Sequence, residues 1–140
     1  MWSQSEKLKF TIPPDYDKCF GCGQANPVGL KLRFQNDNGV AKASFTPGPE
    51  YQGWEGILHG GVMCAALDEA LGYAAYFRGI KAVTGKLEVH FRKPVPVRSN
   101  LTLTAWITRE TKRFLVAKAK AAFEDGSVAA DATAILFVVP

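Results

Sequence analysis

Residues 59–77, HGGVMCAALDEALGYAAYF, decide how this chain is read. Met63, Leu67, Ala70, Leu71, Ala74 and Phe77 recur at helical spacing and predict a long helix with one apolar stripe. A second line holds Gly61, Cys64, Ala65, Asp68, Gly72 and Ala75, small residues throughout except for one carboxylate. Such a line lets another backbone or a ligand approach closely. Gly60 and Gly61 are poor helix formers, yet in a first turn they leave amide donors uncovered. Gly79 is the stop signal.

On either side of the helix the apolar period changes to two. Leu30, Leu32 and Phe34 alternate with Lys31 and Arg33, which predicts a half-buried strand. Asp37-Asn38-Gly39 predicts a turn into a second strand at 40–45. After the helix, Val83, Gly85, Leu87, Val89 and Phe91 are expected on one side of a strand and Thr84, Lys86, Glu88, His90 and Arg92 on the other. Pro94 and Pro96 end it. Further strands are expected near 100–109, 113–123 and 128–138, the last two joined by the turn Glu124-Asp125-Gly126-Ser127. Strand, strand, long helix and then several strands predict an α+β fold, an antiparallel sheet around one helix. The βαβ alternation of a doubly wound sheet is absent. Exposed sheet edges left by a single helix predict self-association, at least a dimer.

A chain of 140 residues, 47% hydrophobic, fits one domain over 1–140, its first 28 residues largely irregular because Pro and Gly punctuate them. Seventeen basic against thirteen acidic residues leave a charge of +4, scattered rather than gathered in a stripe. That argues against nucleic acid and is a weak hint of an anionic ligand. The N-terminus lacks an apolar h-region, and no run of apolar residues is long enough to span a bilayer, so no membrane partner is expected. Three cysteines are an awkward count for a disulfide scaffold and point to a cytoplasmic location.

Chemistry concentrates in Gly56-Ile57-Leu58-His59-Gly60-Gly61 and in Asp68. Amides opening a helix can hold an oxyanion, and the helix dipole adds to that pull. A carboxylate among small and apolar residues is costly to bury unless it has a task or a partner. Asp68 lies nine residues beyond His59, however, ~13 Å along the helix axis. One small carbonyl is not easily reached by both ends, and a site shared between protomers removes the difficulty. The competing structural readings are a tight helix entry for His-Gly-Gly and, for Glu69, a solvent or interfacial place between the two faces.

These residues carry a resemblance. Cys19-Phe-Gly-Cys22-Gly-Gln-Ala-Asn-Pro-Val-Gly-Leu30, the His59-Gly60-Gly61 turn, Leu67-Asp68 and the strand Val83 to Pro94 together resemble the hotdog-fold acyl-CoA thioesterases, in particular the phenylacetate-pathway-type branch. The resemblance implies a hotdog fold and hydrolysis of an acyl-CoA thioester to a free acid and coenzyme A. It implies that Gly60, with Gly61 beside it, holds the thioester carbonyl. Asp68 from the neighbouring subunit would act as general base or nucleophile, with His59 orienting the turn and Thr84 close to the carboxylate. Some relatives carry an Asn six residues before the histidine, where this chain has Gly53.

Four further expectations complete the reading. Tyr51 and Trp54 wall an acyl pocket. Arg92, Lys93, Lys112 and Arg113 are candidates for the phosphates of coenzyme A. Cys19 and Cys22 are read as structural, with a metal ligand pair and a redox pair as the alternatives, since a closed zinc site needs two more ligands and no second half-site shows in the sequence. The reaction needs no metal and no cofactor, and the assembly is a homodimer with shared sites, extending to a dimer of dimers. The alternatives are an acyl-thioester hydratase or dehydratase, and a non-catalytic acyl-binding module.

Overall fold

The computed structural model describes residues 17–140. The irregular reading of residues 1–16 lies outside that range. The elements run β1 (Gln35–Asp37), β2 (Val40–Phe45), α1 (Gly60–Tyr76), β3 (Ala82–Phe91), β4 (Leu101–Glu110), β5 (Phe114–Phe123) and β6 (Val128–Val138). The six strands form one antiparallel sheet in the order β1-β2-β4-β5-β6-β3. Helix α1 leaves β2 on one side, packs across the sheet, and delivers the chain to β3 at the opposite edge. This is the expected α+β hotdog arrangement.

The fit of helix to sheet follows from complementary side-chain sizes. Met63, Leu67 and Leu71 are buried on α1. Beneath them the sheet offers small side chains: Ala41, Ala105, Ala119 and Ala132 are directly paired across four strands, and Val89 continues the row on β3. All four alanines are buried. Large residues on the helix and methyl groups on the sheet are complementary in size, as close packing of two layers requires.

Two expectations are corrected here. The alternation of 30–34 buries Leu30 and Leu32 but makes no strand, because Lys31 turns the backbone to φ +54°. Leu30 and Leu32 instead donate their N–H groups to Phe20 and Gly21, at 2.8 and 3.0 Å, and the ladder begins only at Gln35. The Asp37-Asn38-Gly39 turn forms as expected, with Asn38 and Gly39 both at positive φ.

The second correction lies in β3. Its ladder with β6 slips between Thr84 and Lys86, a β-bulge at Gly85. Parity therefore reverses at that point. Ala82 packs against the core before the bulge, and Leu87 and Val89 pack against it afterwards. Thr84 shares their face and reaches the helix, while Val83 is 56% exposed. A Cβ on Gly85 would collide with the ring of Phe137 on β6, so the residue with no side chain sits where the extra backbone must fit.

β3 pairs with β6 on one side and with no described strand on the other. This ten-residue edge also presents Val83 and Phe91, the latter 58% exposed. Among the described residues no helix is long and apolar enough to cross a membrane.

Candidate active site

His59 is the N-cap of α1, and its Nδ1 accepts the Gly61 N–H at 2.8 Å. The His59 N–H donates to the Tyr51 carbonyl, and its own carbonyl accepts from Val62 and Met63. The ring is therefore a capping acceptor that fixes the turn. It also occupies the Gly61 amide, which leaves Gly61 unavailable as an oxyanion donor. Among the described residues, the Gly60 N–H takes part in none of the hydrogen bonds that hold this turn. Gly60 lines a cavity of roughly 230 Å³ together with Met63, Phe91, Arg92 and Lys93. Gly53 packs against the His59 ring, with only 3.3 Å from its would-be Cβ to Cδ2.

Asp68 lies at the other end of the apparatus. Thr84 Oγ1 donates to Asp68 Oδ1 at 2.6 Å, a short bond to a carboxylate oxygen. The bulge makes this bond possible by turning Thr84 toward the helix. Gly60 lies against the Phe91 end of β3 (the ring is 3.6 Å from its would-be Cβ), whereas Asp68 is bonded to the Thr84 end. The seven residue steps between those ends span roughly 20 Å of strand. Within one chain, the amide and the carboxylate stay apart.

The basic candidates divide the same way. Arg92 and Lys93 border the Gly60 cavity. Arg92 is already engaged, donating to Asp131 at 2.7 Å and holding that carboxyl below its ordinary range. Lys112 and Arg113 are exposed in the β4–β5 turn, beside the Val138 end of β6 and thus at the Thr84 end of the sheet. The two aromatic candidates line no wall of the Gly60 cavity. Trp54 is 87% exposed. Tyr51 donates its hydroxyl to the Gly29 carbonyl at 2.6 Å and so ties the Cys-containing segment to the helix entry. Burial, with Glu50 nearby, raises the Tyr51 phenol above its usual value.

Glu69, expected at solvent or an interface, is half-buried against the Cys-containing segment instead. Its carboxylate lies 3.7 and 3.9 Å from Cys19 Sγ. Burial pushes the Cys22 thiol up to about 12 and also raises the carboxyl of Glu69, against bonds from Cys22 and Cys19 that lower it. Tyr73 stacks on Phe34 at 4.8 Å and bonds to Cys22, its phenol raised chiefly by burial. These groups face a second, largely apolar cavity of about 450 Å³ that includes Gly72, Tyr76 and Val83. The signal in the sequence was Glu69 and Tyr73 at i, i+4 on one helix face. Nothing local said what that face would meet.

The thioesterase superfamily model matches residues 55–130, a little over half of the chain. The acyl-coenzyme A thioesterase THEM4 of Bos taurus is 34% identical over 74 residues, which cover 53% of this chain and 30% of that protein. The chain thus spans less than a third of that curated relative. A solved thioesterase superfamily protein superposes with a TM-score of 0.82 at 27% identity, over 88% of this chain and 61% of that one. The PaaI protein of the E. coli phenylacetic acid degradation operon gives a TM-score of 0.76 at 22% identity, over 85% and 84%.

Proposed function

The chain belongs to the thioesterase superfamily, and on that premise we propose that it hydrolyses an acyl-CoA thioester to a free acid and coenzyme A. The observation that carries this is the Gly60 N–H, left without a partner by the turn and placed in a cavity at a helix start. Such a donor stabilises the oxyanion that develops when a thioester carbonyl is attacked. Asp68, held by Thr84, either takes a proton from the water that attacks the carbonyl and passes it to the departing sulfur, or attacks the carbonyl itself to form a mixed anhydride that water then hydrolyses to the free acid. In both routes water supplies the proton with which coenzyme A departs as the thiol. His59, its Nδ1 engaged in the cap, acts in positioning rather than in the proton exchange a hydratase would require.

The site is completed by a second copy. Pairing the open edge of β3 with its counterpart, antiparallel about the strand's midpoint, brings the Thr84 end of one copy to the Phe91 end of the other. Asp68 of one copy then faces Gly60 of its neighbour. The exposed Val83 and Phe91 on that edge support the pairing. Arg92 and Lys93 beside Gly60, joined by Lys112 and Arg113 arriving with the other copy, are the groups for the coenzyme A phosphates. Trp54 and Tyr51 contribute to an acyl wall only in that assembly. One hotdog domain over 1–140, a cytoplasmic setting, and a place in the phenylacetate-type branch belong to the same reading. Three cysteines joined by no disulfide among the described residues support the second, and the motifs around Cys19, His59 and Asp68 support the third.

The test mixes two inactive variants. Gly60→Pro removes the donor and Asp68→Asn removes the base. Exchanged into mixed dimers, they form one intact site of two, so hydrolysis of a panel of saturated, enoyl and aromatic acyl-CoAs should partly return. A fully active monomer, or no recovery after proven exchange, would sink the shared site. Reversible change at an enoyl double bond without thiol release would favour the hydratase.

A further inference from the structure

We propose that Cys19, Cys22 and Glu69 form a zinc-binding site that fastens the N-terminal segment to helix α1. One ligand atom from each of the three lies within 4.8 Å of the other two. A tetrahedral zinc, with bonds of about 2.3 Å to sulfur and about 2.0–2.2 Å to oxygen, needs S···O edges of about 3.5–3.7 Å and an S···S edge of about 3.8 Å. The Cys19–Glu69 distances of 3.7 and 3.9 Å are close to that edge and long for a thiol–carboxylate hydrogen bond. Two thiolates and a carboxylate are a donor set suited to zinc.

The backbone is built to hold them. Cys19-Phe-Gly-Cys22-Gly forms a knuckle closed by Gly23 N–H donating to the Cys19 carbonyl at 2.8 Å. Both of its glycines are needed for close approach. A Cβ on Gly21 would collide with the Glu69 carboxylate, and one on Gly23 would collide with the Asp17 carbonyl. The knuckle is in turn bonded to the following segment through Phe20 and Gly21, which accept from Leu30 and Leu32. Glu69 reaches it from the helix, fifty residues away in sequence. All three ligands line the second cavity, so the fourth position opens toward it and is left to water. The sequence showed one half of this site. The fold supplies the other.

The full chain, reduced and stripped with a chelator, should be titrated with Zn²⁺ and separately with Co²⁺. One equivalent of zinc should bind per chain with a dissociation constant below about 1 μM, as thiolate sites do. Cobalt should give a sulfur-to-metal charge-transfer band. Glu69→Gln should weaken zinc by about 10-fold or more, and Cys22→Ser should abolish stoichiometric uptake. Cys64→Ser, outside the cluster, should bind normally. Circular dichroism shows whether each variant is folded, and Glu69→Gln carries the test if Cys22→Ser is not. A folded parent chain that takes up neither metal overturns the proposal, as does a Cys22→Ser variant that binds unchanged. An unaltered affinity in Glu69→Gln overturns the carboxylate as a ligand.

Discussion

Gly60→Pro isolates the proposed donor with little disturbance to the fold. Gly60 is the first helical residue, where proline is favoured because its missing N–H is one the helix does not use. His59 before it has φ −63° and ψ 133°, the extended conformation a following proline demands. Gly60 is not among the glycines at positive φ. A Cβ there would meet the Phe91 ring at 3.6 Å, an ordinary contact. The substitution therefore deletes one amide hydrogen and leaves the cap from Gly61 to His59 in place. Loss of one oxyanion-hole donor is worth about 10²–10³ in kcat, roughly 2.7–4 kcal/mol. Gly60→Ala keeps the N–H and adds only a methyl group, so its loss should be far smaller. The assay is steady-state release of coenzyme A from the best acyl-CoA, alongside circular dichroism, melting and sizing of both variants. A folded, assembled Gly60→Pro protein with near-normal kcat would refute the donor. An equal loss in Gly60→Ala would make the effect one of crowding.

Four further outcomes can be checked. Thr84→Val removes a hydrogen bond to a carboxylate worth about 1.5–3 kcal/mol, so kcat should fall about 10–100-fold; Thr84→Ser should keep most of it, and the loss should vanish in an Asp68→Asn background. His59→Ala should cost about 1 kcal/mol of stability in urea unfolding, measured as a lower midpoint at unchanged slope, whereas His59→Asn retains a capping acceptor and most of the stability. Leu71→Ala, at a fully buried position, should cost roughly 2–5 kcal/mol by the same measurement. Asp131 is held below its ordinary 3.8, chiefly by hydrogen bonding to Arg92, so its contribution to stability is present above that value and is lost as the pH falls through the lowered one. Melting of Asp131→Asn should therefore drop slightly below the parent at neutral pH and rejoin it in strong acid, the effect staying small because the pair is exposed.

What could be read in advance was what repeats locally. Helix α1 was legible to within a residue because Met63, Leu67, Leu71 and Ala74 keep one period, and because His-Gly-Gly marks a start. The turns at Asn38-Gly39 and Gly126 announce themselves through residues that tolerate positive φ. The β3 faces were misread because a bulge leaves no mark in an alternating pattern. A glycine at 85 looks like any small residue until Phe137 is seen above it. Lys31 defeated the first strand in a similar way, since a left-handed lysine carries no signature. At the site, Asp68 was recognisable as a carboxylate in the wrong company, and Thr84 only through resemblance. Glu69 with its cysteines was out of reach, because that contact joins segments that no periodicity relates.

The row of alanines beneath α1 acts as a gauge block. Its four methyl groups set how far the helix stands from the sheet, and that gap also sets the reach from Thr84 on the sheet to Asp68 on the helix. A larger side chain at Ala105 or Ala119 would lift the helix, and such overpacking typically costs 1–3 kcal/mol. The same lift would lengthen a 2.6 Å bond several residues away. The alignment of the carboxylate can thus drift in small steps through positions that touch neither substrate nor water. Under the proposed function, variation among such alanines would retune turnover while every residue at the candidate site stays the same.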